Sequence, residues 1–236
     1  MGTNRPSKTG DTSSTSLQHD RARGGDPTRD LSRSDYWDSQ YRNGEASWDT
    51  GFPAKELIRV LQQGWVKPCT TIELGCGTGT NSVHLATMGF DVTAVDISIH
   101  AIQQAVARAD ASKVRVNFAW MDVLTDSDRL NSSFDFVLDS GCFHSLGCKI
   151  AAQYLTCLQR ITNPQSKFLL LAERTAARSA VPSNCQQRGQ VFPVTEEAIR
   201  DVFESVFTIE WTRKFEFDAR HGEVCRPGWS CLMTRK

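Results

Sequence analysis

Several features are missing from this sequence, and each absence narrows what it can encode. No apolar run approaches the roughly 18 residues of a membrane span, so no bilayer passage is expected. The first residues lack the charged-then-apolar order of a secretory leader. Pro6 also stands where a myristoylation signal requires Ser or Thr. Net charge is absent too: 27 Lys and Arg balance 27 Asp and Glu, which leaves no overall field to draw the protein onto DNA or an anionic membrane. None of the eight cysteines forms a Cys-x-x-Cys pair, which argues against a zinc ribbon or a dithiol redox pair. Cys142, His144 and Cys148 match no common metal-ligand spacing, so no metal is expected. These cysteines therefore read as reduced thiols of a cytoplasmic protein.

What is present suits one domain with a tail. The chain has 236 residues, is 39% apolar and has a mean hydropathy of -0.38. Residues 1–33 are mostly Ser, Thr, Gly, Asp and Arg, with Leu17 and Leu31 as the only large aliphatics. Such a stretch buries too little apolar surface to offset its ordering entropy and reads as a disordered tail. The domain then runs over 34–236, opening with Tyr36, Trp37, Tyr41, Trp48 and Phe52 close together.

After Pro53, Leu57, Leu61 and Trp65 recur every fourth residue and predict a helix. Strands are expected at 70–74, 91–96, 114–120, 134–138 and 168–172, separated by helical segments at 80–88, after Ser98, and around Ile150, Tyr154, Leu158 and Ile161. Strands joined through helices imply right-handed crossovers and a parallel sheet covered on both faces. A helix begins at Thr195. Beyond it, runs at 207–217 and 229–233 have no helix between them and should pair antiparallel. The expected fold is α/β, a doubly wound, mostly parallel seven-stranded sheet with a carboxy-terminal antiparallel hairpin.

Chemistry concentrates in Glu73-Leu74-Gly75-Cys76-Gly77-Thr78-Gly79, where the first strand meets the first crossover helix. Glycine there permits a sharp turn and close backbone approach to a ligand, and the helix N–H groups face an anion. A dinucleotide fingerprint would place Gly at position 80, where this chain has Thr80. Glu73 would repel a pyrophosphate but suits a ligand carrying ammonium and sulfonium groups. Asp96 ends the second strand about 20 residues after the first glycine, where an acid reaches both ribose hydroxyls. These features point to S-adenosyl-L-methionine. Asp122 is placed to accept the adenine amino group, with Ile97 and Val123 as apolar neighbours. Asp139 either orients the methionine amine or the acceptor, or caps its loop.

The run from Glu73 to Asp96 resembles the first two motifs of class I S-adenosylmethionine-dependent methyltransferases. Within that class the chain resembles the branch of thiopurine S-methyltransferase and the tellurite-resistance methyltransferases. Trp37, Tyr41 and Gly44 match its aromatic–aromatic–glycine pattern, and Trp48-Asp49-Thr50-Gly51-Phe52-Pro53 matches a Trp-Asp-x-Gly-x-Pro element. Asp139-Ser140-Gly141-Cys142-Phe143-His144, residues 190–203, and Arg220-His221 followed by Trp229 resemble later segments of the branch. The resemblance implies that Trp37 and Tyr41 lie over the cofactor as part of an amino-terminal lid, with a hydrophobic staple on the following helix as the alternative; Trp48 and Cys76 are further cofactor-binding candidates. It aligns Arg220 near the substrate, where a surface hairpin charge is the alternative. Ser140 replaces the arginine usual after the Asp, so that arginine's contact does not carry over.

Methyl transfer from a sulfonium is an in-line displacement that chiefly needs positioning and exclusion of water. A thiol or related chalcogen acceptor needs little beyond deprotonation, whereas an amine or alcohol needs a base, for which His144 is the candidate, as base or substrate contact, with a structural pocket wall as the alternative. No Asn/Asp-Pro-Pro-aromatic cradle or basic stripe is present, so nucleic acid is not an expected substrate. The expectation is a monomeric small-molecule methyltransferase acting on a thiol or related chalcogen. A small-molecule N- or O-methyltransferase, a nicotinamide-dependent oxidoreductase and a non-catalytic cofactor-binding protein remain open alternatives.

Overall fold

Among the described residues, seven strands and six α-helices follow one another in the alternation that the hydrophobic pattern predicts. A computed structural model describes residues 31–130, 133–146, 150–174, 194–218 and 225–236. Helices α1 (Leu31–Arg42) and α2 (Lys55–Gln62) precede β1 (Thr70–Leu74), α3 (Thr80–Thr87) and β2 (Asp91–Asp96). Then come α4 (Ile99–Ser112), β3 (Asn117–Trp120), β4 (Phe134–Ser140), α5 (Ala151–Ile161) and β5 (Thr162–Glu173). The chain closes with α6 (Glu196–Phe203), β6 (Phe207–Phe217) and β7 (Arg226–Arg235). Helix α1 takes in Leu31, Ser32 and Arg33, which composition assigned to the tail; residues 1–30 lie outside the described residues.

The strand order is β3-β2-β1-β4-β5-β7-β6. The pairs from β3 through β5 are parallel, while β7 runs antiparallel to both β5 and β6. This is the doubly wound sheet with a closing antiparallel hairpin. Side chains alternate across it. Phe168 and Leu170 join one buried cluster with Tyr154, Leu158, Ile199 and Phe203 of α5 and α6. Leu169 and Leu171 join another with Leu57, Val60, Leu85 and Ile102 of α2, α3 and α4. Both faces are covered, as a parallel sheet requires.

Local chemistry sets the helix ends. Ser98 caps α4 by accepting the Ala101 N–H at 3.1 Å, and Thr195 caps α6 by accepting that of Ala198 at 3.1 Å. Helix α2 stops earlier than its apolar repeat suggests. Gly64 adopts φ 72°, and the Trp65 N–H bonds back to Val60 O at 3.3 Å. Trp65 therefore lies past the helix and is exposed, its ring 6.0 Å from that of Trp211. Strand β3 begins three residues later than expected, because Lys113 at φ 55° and the Val114 N–H to Ala109 O bond are used in closing α4. Strand β5 begins earlier, with an irregularity after Thr162: Phe134 pairs with Thr162, and Phe136 next pairs with Lys167.

Candidate active site

The carboxyl ends of the parallel strands surround a cleft of about 1080 Å³ including its open mouth, large enough for a nucleoside cofactor with a small acceptor. At its floor the chain leaves β1 and doubles back at Gly75, whose N–H donates to Val95 O at 2.8 Å. Gly75 has φ 68°, and a Cβ there would lie 2.7 Å from the Cβ of Cys142. Gly77 has φ 54°, and a Cβ there would lie 2.8 Å from the Tyr41 hydroxyl oxygen. Both positions combine the left-handed region with crowding, so only glycine fits without displacement. Gly79 faces away from the cleft and packs on Ala105 of α4.

Asp96 stands at the end of β2, buried, with one carboxylate oxygen accepting the Gly77 N–H at 2.8 Å and the other the Ser98 N–H at 2.8 Å. Burial raises its pKa to about 6, against the pull of those N–H donors. With the Ile97 N–H as a third donor, the carboxylate still keeps lone-pair capacity for a ligand hydroxyl. Ile97, Met121, Asp122 and Val123 continue the cleft wall, and Asp122 accepts the Leu124 N–H at 2.9 Å.

Glu73 is held differently. Its carboxylate accepts from Asn81 Nδ2 at 2.9 Å and from the Ser82 hydroxyl, and burial raises its pKa to about 7. It lines a smaller recess beside the cleft together with Cys76, Gly77, Thr80 and Asn81. Asp139, expected among the cofactor contacts, follows the loop-capping alternative. Fully buried, it accepts N–H bonds from Cys142 and Phe143, both at 2.9 Å, and the Tyr154 hydroxyl at 2.5 Å. Burial raises its pKa to about 7. It is not among the residues lining the cleft.

Helix α1 and the turn after it close the cleft from above. Trp37, Tyr41 and Trp48 meet edge to face, with Trp48 centred 5.3 Å from Trp37 and 5.9 Å from Tyr41. The Trp48 indole N–H donates to the Tyr41 hydroxyl at 3.0 Å. Asp38, on the same helix, was not legible from the sequence. Its carboxylate accepts the Ser98 hydroxyl at 2.7 Å and the His100 N–H at 3.0 Å, and meets His100 Nδ1 at 2.6 Å. Burial works to raise its pKa, but these bonds hold it below the ordinary carboxylate value. The partners lie 60 and 62 residues away, beyond any local sequence signal.

The wall opposite the lid holds His144, Phe217 and Arg226. His144 accepts the Glu173 backbone N–H at Nδ1, 3.0 Å away. Burial, helped by Arg226, pushes its pKa down to about 3. The neutral ring therefore carries its proton on Nε2 and acts as a hydrogen-bond donor. With one nitrogen occupied and the other protonated, His144 fits the pocket-wall reading better than that of a general base. The Glu173 carboxylate accepts Arg226 Nη1 at 3.1 Å. Arg220, the arginine that the resemblance aligned near the substrate, lies outside the described residues. Arg226 escaped the sequence reading because its only signal was a basic residue beside Pro227-Gly228 at a strand start.

Residues 72–165 match the family model described as a methyltransferase domain. An uncharacterized methyltransferase of Schizosaccharomyces pombe is 33% identical over 115 residues, covering 49% of this chain and 78% of that protein. The 2-heptyl-1-hydroxyquinolin-4(1H)-one methyltransferase of Mycobacteroides abscessus is 25% identical over 185 residues, covering 75% and 78%. A solved structure concerned with conversion of a disulfide bond into a thioacetal group during echinomycin biosynthesis superposes with a TM-score of 0.73 at 25% identity, covering 86% of this chain and 93% of that one. With the sheet order and the glycine bend, these likenesses establish that the chain belongs to the class I S-adenosylmethionine-dependent methyltransferases and resembles their tellurite-resistance branch.

Proposed function

We propose that this methyltransferase acts on a small acceptor whose nucleophile, a thiol or related chalcogen, reacts as an anion formed without a base from the enzyme. The observation carrying this reading is His144, whose Nδ1 is occupied by the Glu173 N–H and whose Nε2 holds the proton. An aliphatic amine or alcohol would need a stronger and better-placed base. A thiol titrating near pH 8.5 supplies a small thiolate fraction at neutral pH, and thiolate is a strong nucleophile.

The residues fit S-adenosylmethionine. The bend at Gly75 and Gly77 leaves room for its amino-acid end, since side chains there would collide with Cys142 and Tyr41. Asp96 would take the ribose hydroxyls, and Asp122 the adenine amino group between Ile97 and Val123. Trp37, Tyr41 and Trp48 would cover the sulfonium and exclude water. Glu73 supports the bend through Asn81 and Ser82 at the start of α3. The bound cofactor supplies an activated methyl group and leaves as S-adenosylhomocysteine.

The Mycobacteroides relative is named for an N-hydroxyquinolone acceptor, which favours a second reading: an acidic hydroxyl on a heteroaromatic ring, methylated as its oxyanion. Both readings share an acceptor that ionises without an enzymatic base. The test is S-adenosylhomocysteine formation with sulfide, methanethiol, aromatic thiols, selenite, tellurite, N-hydroxyquinolones, phenols and aliphatic amines. Turnover should concentrate in thiols and related chalcogens, with N-hydroxy compounds leading under the second reading. A preference for aliphatic amines over every thiol would overturn both.

A further inference from the structure

Arg226 and His144 sit on different elements, yet both are anchored on Glu173 at the end of β5. The Glu173 N–H fixes His144 Nδ1 at 3.0 Å, and its carboxylate holds Arg226 Nη1 at 3.1 Å. The ring of Phe217 lies beside both groups, centred 6.0 Å from the imidazole and 5.8 Å from the guanidinium carbon. All three line the cleft, and among its described lining residues Arg226 is the one arginine or lysine. No described residue accepts a hydrogen bond from His144 Nε2.

We propose that Arg226 and the Nε2–H of His144, grouped around Phe217, form the subsite for the acceptor's negative pole, so that an aromatic thiol seated there ionises more readily than in water. This rests on reading the cleft as the acceptor site of a methyltransferase.

A guanidinium carries five N–H donors, and the carboxylate of Glu173 takes one of them. The remaining donors and the imidazole N–H leave a corner that gives hydrogen bonds, while His144 Nδ1 and one oxygen of Glu173 are already engaged. A ligand group there must accept hydrogen bonds, and donors directed at its ionised form lower its pKa. Glu173 offsets part of the arginine charge, so recognition relies on directed N–H groups more than on net field. The other titratable groups lining the cleft are Asp96, Asp122, Asp218, Tyr36, Tyr41 and Cys142. Of these, Asp96 lies at the cofactor bend, and Asp218 is paired with Lys55 at 2.5 Å.

The probe is thiophenol, which titrates nearer neutrality and whose thiolate is followed by ultraviolet difference absorption, titrated against pH in complex with the full chain and S-adenosylhomocysteine. Without a transferable methyl group the measurement needs no turnover. The bound thiol should show an acid constant raised about tenfold over the free compound. Arg226→Gln should abolish that gain and Arg226→Lys should keep part of it. His144→Gln, which retains an N–H donor, should exceed His144→Phe. S-adenosylhomocysteine affinity within twofold of wild type shows that a variant is folded. A bound thiol no more acidic than the free one, failure of the thiol to bind, or an Arg226→Gln variant matching wild type would each overturn the subsite. Ionisation as expected without turnover of any acceptor would instead sink the proposed reaction.

Discussion

Asp96, Asp139 and His144 are all buried, and each spends its polarity differently. Asp96 keeps lone pairs open to the cleft, so Asp96→Asn should weaken S-adenosylhomocysteine binding about tenfold, or about 1.4 kcal/mol, by calorimetry. Gly77→Ala should do at least as much, because its Cβ would meet the Tyr41 hydroxyl at 2.8 Å while the backbone holds φ 54°. Asp139 organises the turn that carries Cys142 and Phe143, and its replacement should reduce stability more than cofactor affinity. His144 gives a pH signature. Its pKa falls from 6.5 to about 3 on folding, so its neutral form contributes stability above pH 6.5 that is lost as pH drops towards 3. The Tm advantage of wild type over His144→Gln should therefore hold above about pH 6.5 and shrink as pH falls from there to about pH 4.5, and an advantage constant across that fall would contradict the depressed value.

At the scale of elements, α1 is fastened beside the cleft by polar contacts and a small apolar cluster. Its small apolar cluster contains Tyr41, Ala46 and Ala101, with Trp48 against it. Asp38 adds the bonds to Ser98 and His100, and Gln104 Nε2 donates to Tyr41 O at 3.3 Å. Ser98 also follows Asp96 closely, so this contact sits beside the acid proposed to take the ribose hydroxyls. Asp38→Ala should speed S-adenosylhomocysteine release about tenfold in stopped-flow fluorescence of the lid tryptophans, at a stability cost of about 1–2 kcal/mol. An unchanged release rate would mean that the aromatic contacts alone hold the lid. The aromatic run 36–52 marked a boundary in the sequence, but which side chain fastens the segment became visible only with α4 beside it.

Across the whole molecule, two apolar clusters hold the sheet from opposite sides. Phe168 is fully buried, with its ring 5.6 Å from Phe203 and 5.7 Å from Phe207. Phe168→Ala should cost about 3–5 kcal/mol in urea unfolding, because a cavity opens where β5, α6 and β6 meet. Phe52 is 77% exposed, and Phe52→Ala should stay within about 0.5 kcal/mol. Equal effects at the two positions would contradict this placement of the core.

Most of the architecture was legible along the chain because it follows from period and local chemistry. Strand β2 at Asp91–Asp96, the Ser98 and Thr195 caps and the glycine bend each depend on neighbours within a few residues. The early end of α2 was missed because a hydrophobic repeat does not reveal which glycine turns the chain into the left-handed region. The wall that carries the proposed acceptor subsite was hidden for another reason. Glu173, His144, Phe217 and Arg226 come from four separate stretches, and nothing local says that one backbone N–H will decide which imidazole nitrogen carries the proton. Local periodicity determined the sheet and the cofactor bend; only tertiary packing decided which acids face the cleft and which histidine nitrogen can act, because both depend on burial and on partners distant in the chain.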